Sequence, residues 1–188
     1  MKKKRAIKLV EEKLPKKRYE HSLRVAETGL KMAELFNGDK DKVELAGILH
    51  DYAKYDDLAM MYQQVTQYDL DHELLAYNSE ILHGPIAASI MKYEHGLEDE
   101  EVLQAIYNHT TGRKQMTLTE KIIFVADYIE PERKQPGVDD IRKIIFDEKK
   151  LDKAIYEISK RTVSYLLESD KCIYPRTIEC LNYYNLEK

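Results

Sequence analysis

The sequence predicts a single all-α domain, and three observations carry that prediction. Apolar residues recur at intervals of three and four through most of the chain, the spacing of one helical face. Glycine (7) and proline (5) are too scarce to supply the turns of a many-stranded architecture. No alternation of apolar and polar residues runs beyond a few positions, and neither an internal repeat nor a low-complexity linker interrupts the chain. At 188 residues the chain is long enough for one real core and short for two, and an apolar fraction of 43% argues against wholesale disorder.

Each helix has its own signal. From Tyr19 to Phe36, residues Val25, Ala26, Leu30, Met32, Ala33, Leu35 and Phe36 keep helical spacing, and Asn37-Gly38 supplies the stop. Asp41 is placed to cap a second helix through Val43, Leu45, Ala46, Ile48 and Leu49. A tyrosine-rich connection follows. Asn78 to Gly84 then leads to Pro85, read as the first turn of a helix that carries Ile86, Ala87, Ile90 and Met91 and ends at Gly96. Glu98 to Asn108 makes the next. Thr117-Leu118-Thr119-Glu120 fits a capping box and opens the apolar helix Ile122 to Ile129, stopped by Pro131. After the turn at Gln135-Pro136-Gly137 come helices over about Val138 to Phe146 and Leu151 to Leu167, with a short final one after Pro175.

Charge and composition exclude several classes. A net charge of −4 argues against gripping nucleic acid by bulk electrostatics. The Lys2-Lys3-Lys4-Arg5 run reads as a solvated terminus or first helical turn, and it lacks the apolar stretch a secretory signal needs. No window approaches the roughly 18 apolar residues of a membrane span. Cys172 and Cys180 form no CxxC pair and read as reduced structural residues of a cytoplasmic protein.

Four of the six histidines share a pattern. His21 lies on one face with Val25, Met32 and Phe36, and His50 ends an apolar helix one turn after Ala46. His83 aligns with Ile86, Ala87 and Ile90, and His109 follows Ala105 and Ile106. Any one alone is more simply a hydrogen-bonded core histidine. Four from separate helices each need a buried partner, and a shared metal satisfies several at once. His72, between Asp71 and Glu73, and His95, at a helix end, read as ordinary surface residues. Asp51 diverges from His50 by about 100° along a helix, which leaves a wedge for a metal. Asp127, inside Ile123-Phe124-Val125-Ala126-Asp127, needs a cation or a salt-bridge partner if it is buried there.

The order His21, His50-Asp51, Asp127 resembles the H…HD…D signature of the HD-domain phosphohydrolases, and more closely the YqeK family of symmetrical bis(5′-nucleosyl)-tetraphosphatases. The stretches that carry the resemblance are RYEHSLRVAETGLKMA from Arg18, AGILHDYAK from Ala46, LHGPIAA from Leu82, NHTTGR from Asn108 and TLTEKIIFVADYIEPERKQPGV from Thr117. The resemblance implies a single HD-domain helical bundle over 1–188, with a metal site among its central helices. The motif-bearing core covers about 18–146, and the C-terminal helices, about 147–188, carry little recognisable signal. It further implies that His21, His50, Asp51 and Asp127 hold one metal and that His83 and His109 hold a second, with Asp51 bridging. Nitrogen and carboxylate ligands suit iron, manganese and zinc alike, and the resemblance favours iron.

Two such cations would share a water, lower its pKa and hold it as the attacking hydroxide. The implied reaction is hydrolysis of diadenosine tetraphosphate in the middle of its phosphate chain to two ADP. Asp51 and Lys54 are the catalytic candidates. Lys54, Arg24, Arg133 and the Thr110-Thr111-Gly112-Arg113 loop are the candidates to meet phosphates, with Thr110, Gly112 and Arg113 as its contributing residues. The alternatives are another nucleotide substrate (a nucleoside di- or triphosphate or an alarmone), or a non-catalytic nucleotide-binding regulator with a structural metal. No P-loop is present. Tyrosines and methionines near residues 58–77 offer a patch for a homodimer.

Overall fold

The computed structural model describes residues 1–186 and is helical throughout, with no strand among the described residues. Helix α1 spans Lys3–Lys13, α2 Lys16–Phe36, α3 Lys40–Leu49 and α4 Leu58–Gln67; a 3₁₀ turn covers His72–Ala76. Then come α5 (Ser79–Tyr93), α6 (Glu100–Asn108), α7 (Leu118–Ile129), α8 (Val138–Phe146), α9 (Leu151–Glu168) and α10 (Pro175–Leu186). Among the described residues no helix is long and apolar enough to cross a membrane.

The centre of the bundle is α2, which packs chiefly on α3 and α7, while α6 bridges α5, α7 and α3. Local chemistry explains the boundaries. Thr117 and Glu120 close the expected capping box on α7. Asn37 takes the left-handed conformation (φ 57°) that ends α2. Close approach of α3 to α2 depends on Gly47, where a Cβ would lie 2.8 Å from the Ala26 Cα.

Several sequence expectations need correction. Asp39, not Asp41, caps α3, because its carboxylate is the one that reaches the amides of Asp41 and Lys42. Asn78 caps α5, so Pro85 lies inside that helix rather than in its first turn. Helix α5 also stops at Tyr93, with Gly96 (φ 67°) in the connection beyond it. Asp99 caps α6, which starts at Glu100. The basic N-terminal run is, as expected, an exposed first helical turn, and it opens helix α1, anchored by buried Ala6 and Val10. The tyrosine-rich connection contains α4, whose signal is weak because only Met61 and Val65 are buried while Leu58 and Met60 face solvent.

Candidate metal and phosphate site

The bundle brings together the six residues singled out as metal ligands. His21 comes from the first turns of α2. His50 and His109 occupy the residues just past the ends of α3 and α6, and Asp127 lies in the last turn of α7. His83 projects from the second turn of α5. His50, Asp51, His83 and His109 are buried. Asp127 is only partly buried: its side chain is 21% exposed, so it stands at the mouth of the site.

The two carboxylate oxygens of Asp51 face different histidines. Oδ2 lies 3.2 Å from His50 Nε2 and 3.5 Å from His21 Nε2. Oδ1 lies 3.1 Å from His83 Nε2 and 3.7 Å from His109 Nε2. Asp127 Oδ1 completes the first group, 3.0 Å from His21 Nε2 and 4.0 Å from His50 Nε2. Ligand atoms of His21, His50 and Asp127, and separately those of His50, Asp51 and His109, all fall within 4.8 Å of one another.

The tautomers follow from what the other ring nitrogens touch. Nδ1 of His50 faces the Gly47 carbonyl at 2.7 Å, Nδ1 of His109 the Ile106 carbonyl at 2.7 Å, and Nδ1 of His83 the Ser79 carbonyl at 3.0 Å. Nδ1 of His21 faces Glu130 Oε1 at 3.1 Å. A carbonyl or carboxylate oxygen only accepts, so each Nδ1 carries the hydrogen and each neutral ring turns a bare Nε2 lone pair inward. The Nε2 atoms of His83 and His109 are 2.9 Å apart. Two lone pairs at that distance, beside Asp51 Oδ1, repel unless a cation sits among them. The buried Nε2 atoms of His21 and His50 have no aligned hydrogen-bond partner. Orphaned inward nitrogens and two carboxylates are the donor set that divalent metals take. The residues therefore fit the cluster that the sequence implied.

Charge runs the same way. Burial raises the Asp51 carboxyl's pKa, yet the His50, His109 and His83 rings set against it outweigh burial and hold Asp51 well below the usual carboxylate range. Burial also acts against ionised Asp127, and there His21 and Arg133 prevail. His109 is pushed down to about 4, first by burial, then by His83 and His50 against the pull of Asp51. It is neutral and available as a ligand. Burial disfavours a charged His50, but Asp51 and Asp127 raise its pKa.

Above the cluster opens a cleft of about 320 Å³, lined by Arg18, Lys54, Thr110 and Arg133 together with Asp51, His83, His109 and Asp127. Lys54 rests 2.6 Å from Glu80 Oε2, and Arg133 2.6 Å from Asp127 Oδ1. Thr110 Oγ1 is 3.0 Å from His109 Nε2. The other phosphate candidates lie elsewhere. Arg24 binds Glu130 at 2.7 Å. Arg113 grips Glu120 through two nitrogens. Gly112 (φ 61°) packs against α10, where a Cβ would strike the Cys180 sulfur at 2.5 Å.

Sequence reasoning missed three contributors. Arg18 sits 2.8 Å from Asp51 Oδ2, and its spacing of three from His21 was the available signal. Glu130, 2% exposed, is the fully buried carboxylate at the end of α7 and orients His21. Ile158 and Thr162 bring α9 to the cleft wall, which no local motif announces.

Residues 18–132 match the family model described as HD domain. A Staphylococcus aureus protein named bis(5′-nucleosyl)-tetraphosphatase, symmetrical, is 64% identical over 96% of this chain and 93% of its own. One of the same name from Halalkalibacterium halodurans is 42% identical over 98% and 97%. The crystal structure of a predicted HD superfamily hydrolase involved in NAD metabolism, from Clostridium acetobutylicum, superposes with a TM-score of 0.92 at 37% identity, covering 98% of this chain and 97% of that one.

Proposed function

Because the chain belongs to the HD domain family, we infer that it is a symmetrical bis(5′-nucleosyl)-tetraphosphatase, which hydrolyses diadenosine tetraphosphate to two ADP. The observation that carries this reading is near-full-length similarity to proteins of that name, joined to a cluster of four buried histidines, buried Asp51 and partly buried Asp127 beneath a cleft that Arg18, Lys54 and Arg133 line.

His21, His50, Asp51 and Asp127 would hold one metal ion and His83 and His109, with Asp51, a second; iron is the proposed metal. Such cations would supply neutralisation of phosphate oxygens and a water of lowered pKa. The chain's own residues do the rest. Asp51 stays ionised and spans the two histidine pairs, so one side chain sets the spacing of the whole site. Main-chain carbonyls and Glu130 lock the four rings with Nε2 inward, and no tautomer change is needed when a cation arrives. Arg18, Lys54 and Arg133 bring three positive charges to the cleft wall, where the tetraphosphate chain lies. Lys54 meets the charge that grows on the departing phosphate oxygen, and an incoming phosphate competes with Glu80 for it. Thr110 offers a hydroxyl at the same wall.

The test is to load the protein separately with iron, manganese and zinc, measure metal per chain, and identify products from diadenosine tetraphosphate. ADP as sole product, with about two metals per chain, is expected. ATP with AMP, or no cleavage under any metal, overturns the reading.

A further inference from the structure

The cleft over the metal cluster is too small for the substrate. At about 320 Å³ it stands at the bottom of the roughly 300–1,000 Å³ range of small-molecule sites, room for phosphates but not for two nucleosides as well. The cleft is not closed. It continues into two larger grooves of about 750 and 720 Å³. One runs toward α8 and shares Tyr128, Gln135 and Thr162 with the cleft. The other runs toward α5 and shares Glu80, Thr110 and Thr162. All three cavities meet at Thr162, and Tyr165, one turn further along α9, lines both grooves with a 54% exposed ring.

We propose that these two grooves are the two nucleoside subsites, with α9 as the ridge between them. This rests on the reading of the protein as a dinucleoside tetraphosphatase and extends it to the parts of the substrate that do not react. A cut in the middle of the phosphate chain leaves equal arms on either side of the reacting phosphorus. A single chain without internal symmetry must then supply two different receptacles, one on each side of the metals. The lining suits that occupant. Charged side chains line the cleft and the α8-side groove alike, but the grooves add aromatic rings: Tyr128 on the α8 side, Tyr77 on the α5 side, and Tyr165 between them. Purine rings stack on such faces with little regard to their hydrogen-bonding edges. Specificity for a substrate with a nucleoside at each end follows from filling both grooves at once, since the second arm binds intramolecularly once the first is seated.

Two exposed positions allow each groove to be blocked without touching the metal cluster. Cys172 lines the α5-side groove, and Ser164 lines the α8-side groove. Metal-loaded protein is modified with a bulky maleimide at Cys172, or at the new thiol of S164C carrying C172S. The ratio of kcat/KM for diadenosine tetraphosphate to that for adenosine 5′-tetraphosphate, which has one nucleoside, is then compared. The unlabelled protein should favour the two-armed substrate by roughly tenfold or more, as one stacked base allows. A label in either groove should remove most of that preference, and labels in both should depress turnover of the one-armed substrate too. C172S alone should not respond to the reagent, because Cys180 is buried. If a label in only one groove matters, or in neither, while unlabelled protein still yields ADP, the two-subsite assignment is overturned and the activity stands. If unlabelled protein yields no ADP from diadenosine tetraphosphate, the functional reading itself falls and the subsites with it.

Discussion

Replacing Gly47 by alanine sets two opposed effects against each other at the contact that positions the metal cluster. In an open helix, Gly→Ala stabilises by roughly 1 kcal/mol because the backbone loses less freedom on folding. Here the added Cβ would meet Ala26 Cα at 2.8 Å, Ala26 N at 3.0 Å and Ala26 Cβ at 3.2 Å. Two of these are backbone atoms of α2, which no rotamer change can move, so α3 and α2 must separate by several tenths of an ångström. Overpacking of this kind costs typically about 1–3 kcal/mol. With the propensity gain subtracted, a net loss of up to about 2 kcal/mol is expected, or a fall in Tm of up to roughly 8 °C for a chain of this size. Gly29 provides the comparison, since its Cβ would strike Val43 Cγ1 at 2.8 Å, a side-chain atom. Val43→Ala should therefore relieve Gly29→Ala, whereas Ala26→Gly should not rescue Gly47→Ala. The site should feel the change as well, because the Gly47 carbonyl accepts from His50 Nδ1, and parting α2 from α3 draws His21 away from His50. Thermal melts of the metal-free proteins and retained metal after dialysis provide the readouts. A Gly47→Ala protein that melts at or above the parent would refute the close-packing argument.

Three further outcomes are expected. Asp51→Ala should retain its helical circular dichroism but lose turnover by more than the roughly 10–100-fold typical of losing an outer-shell partner, while His72→Ala stays within error of the parent; equal rates for Asp51→Ala and parent would sink the bridging role. Glu130→Gln keeps an acceptor for His21 Nδ1 but loses the charge held by Arg24, so metal affinity should fall roughly tenfold, and Glu130→Ala should fall further; competition with a chelator of known affinity measures both. Native protein should titrate one fast thiol, Cys172, because burial pushes Cys180 up to about 11. Since an unfolded thiol ionises near about 8.5 while folded Cys180 keeps its proton, stability should decline as pH rises between those values, and Cys180→Ala should flatten that decline in denaturant melts.

Legibility of the fold from sequence tracked how far its determinants lay apart along the chain. The capping box at Thr117 and Glu120 and the stop at Asn37 are local, and both were readable. Helix α4 was not, because Met60 and Leu58 face solvent and blur the apolar stripe. Pro85 misled for a related reason. It is a helix-start signal by itself, yet Asn78 seven residues earlier caps the helix and tertiary packing retains the proline inside. Inward periodicity found the four histidines, since each shares a face with its own helix's core. What the loop after His109 does was beyond that method. Gly112 and Arg113 have the composition of a phosphate loop, but they answer to Cys180 and Glu120, partners that only the folded chain brings near. The contribution of α9 depends likewise on a helix–helix contact.

The positions of His50, His109 and Asp127 have an electrostatic consequence beyond coordination. All three stand at or just past the C-terminal ends of their helices, so α3, α6 and α7 converge on the cluster with their carbonyl ends foremost. Each such end behaves as roughly half a negative charge. The backbone itself therefore adds to the carboxylates a field that draws cations in and turns phosphate away. Arg18, Lys54 and Arg133 on the cleft wall carry the opposite sign, so the site keeps cation attraction at its floor apart from anion attraction at its rim.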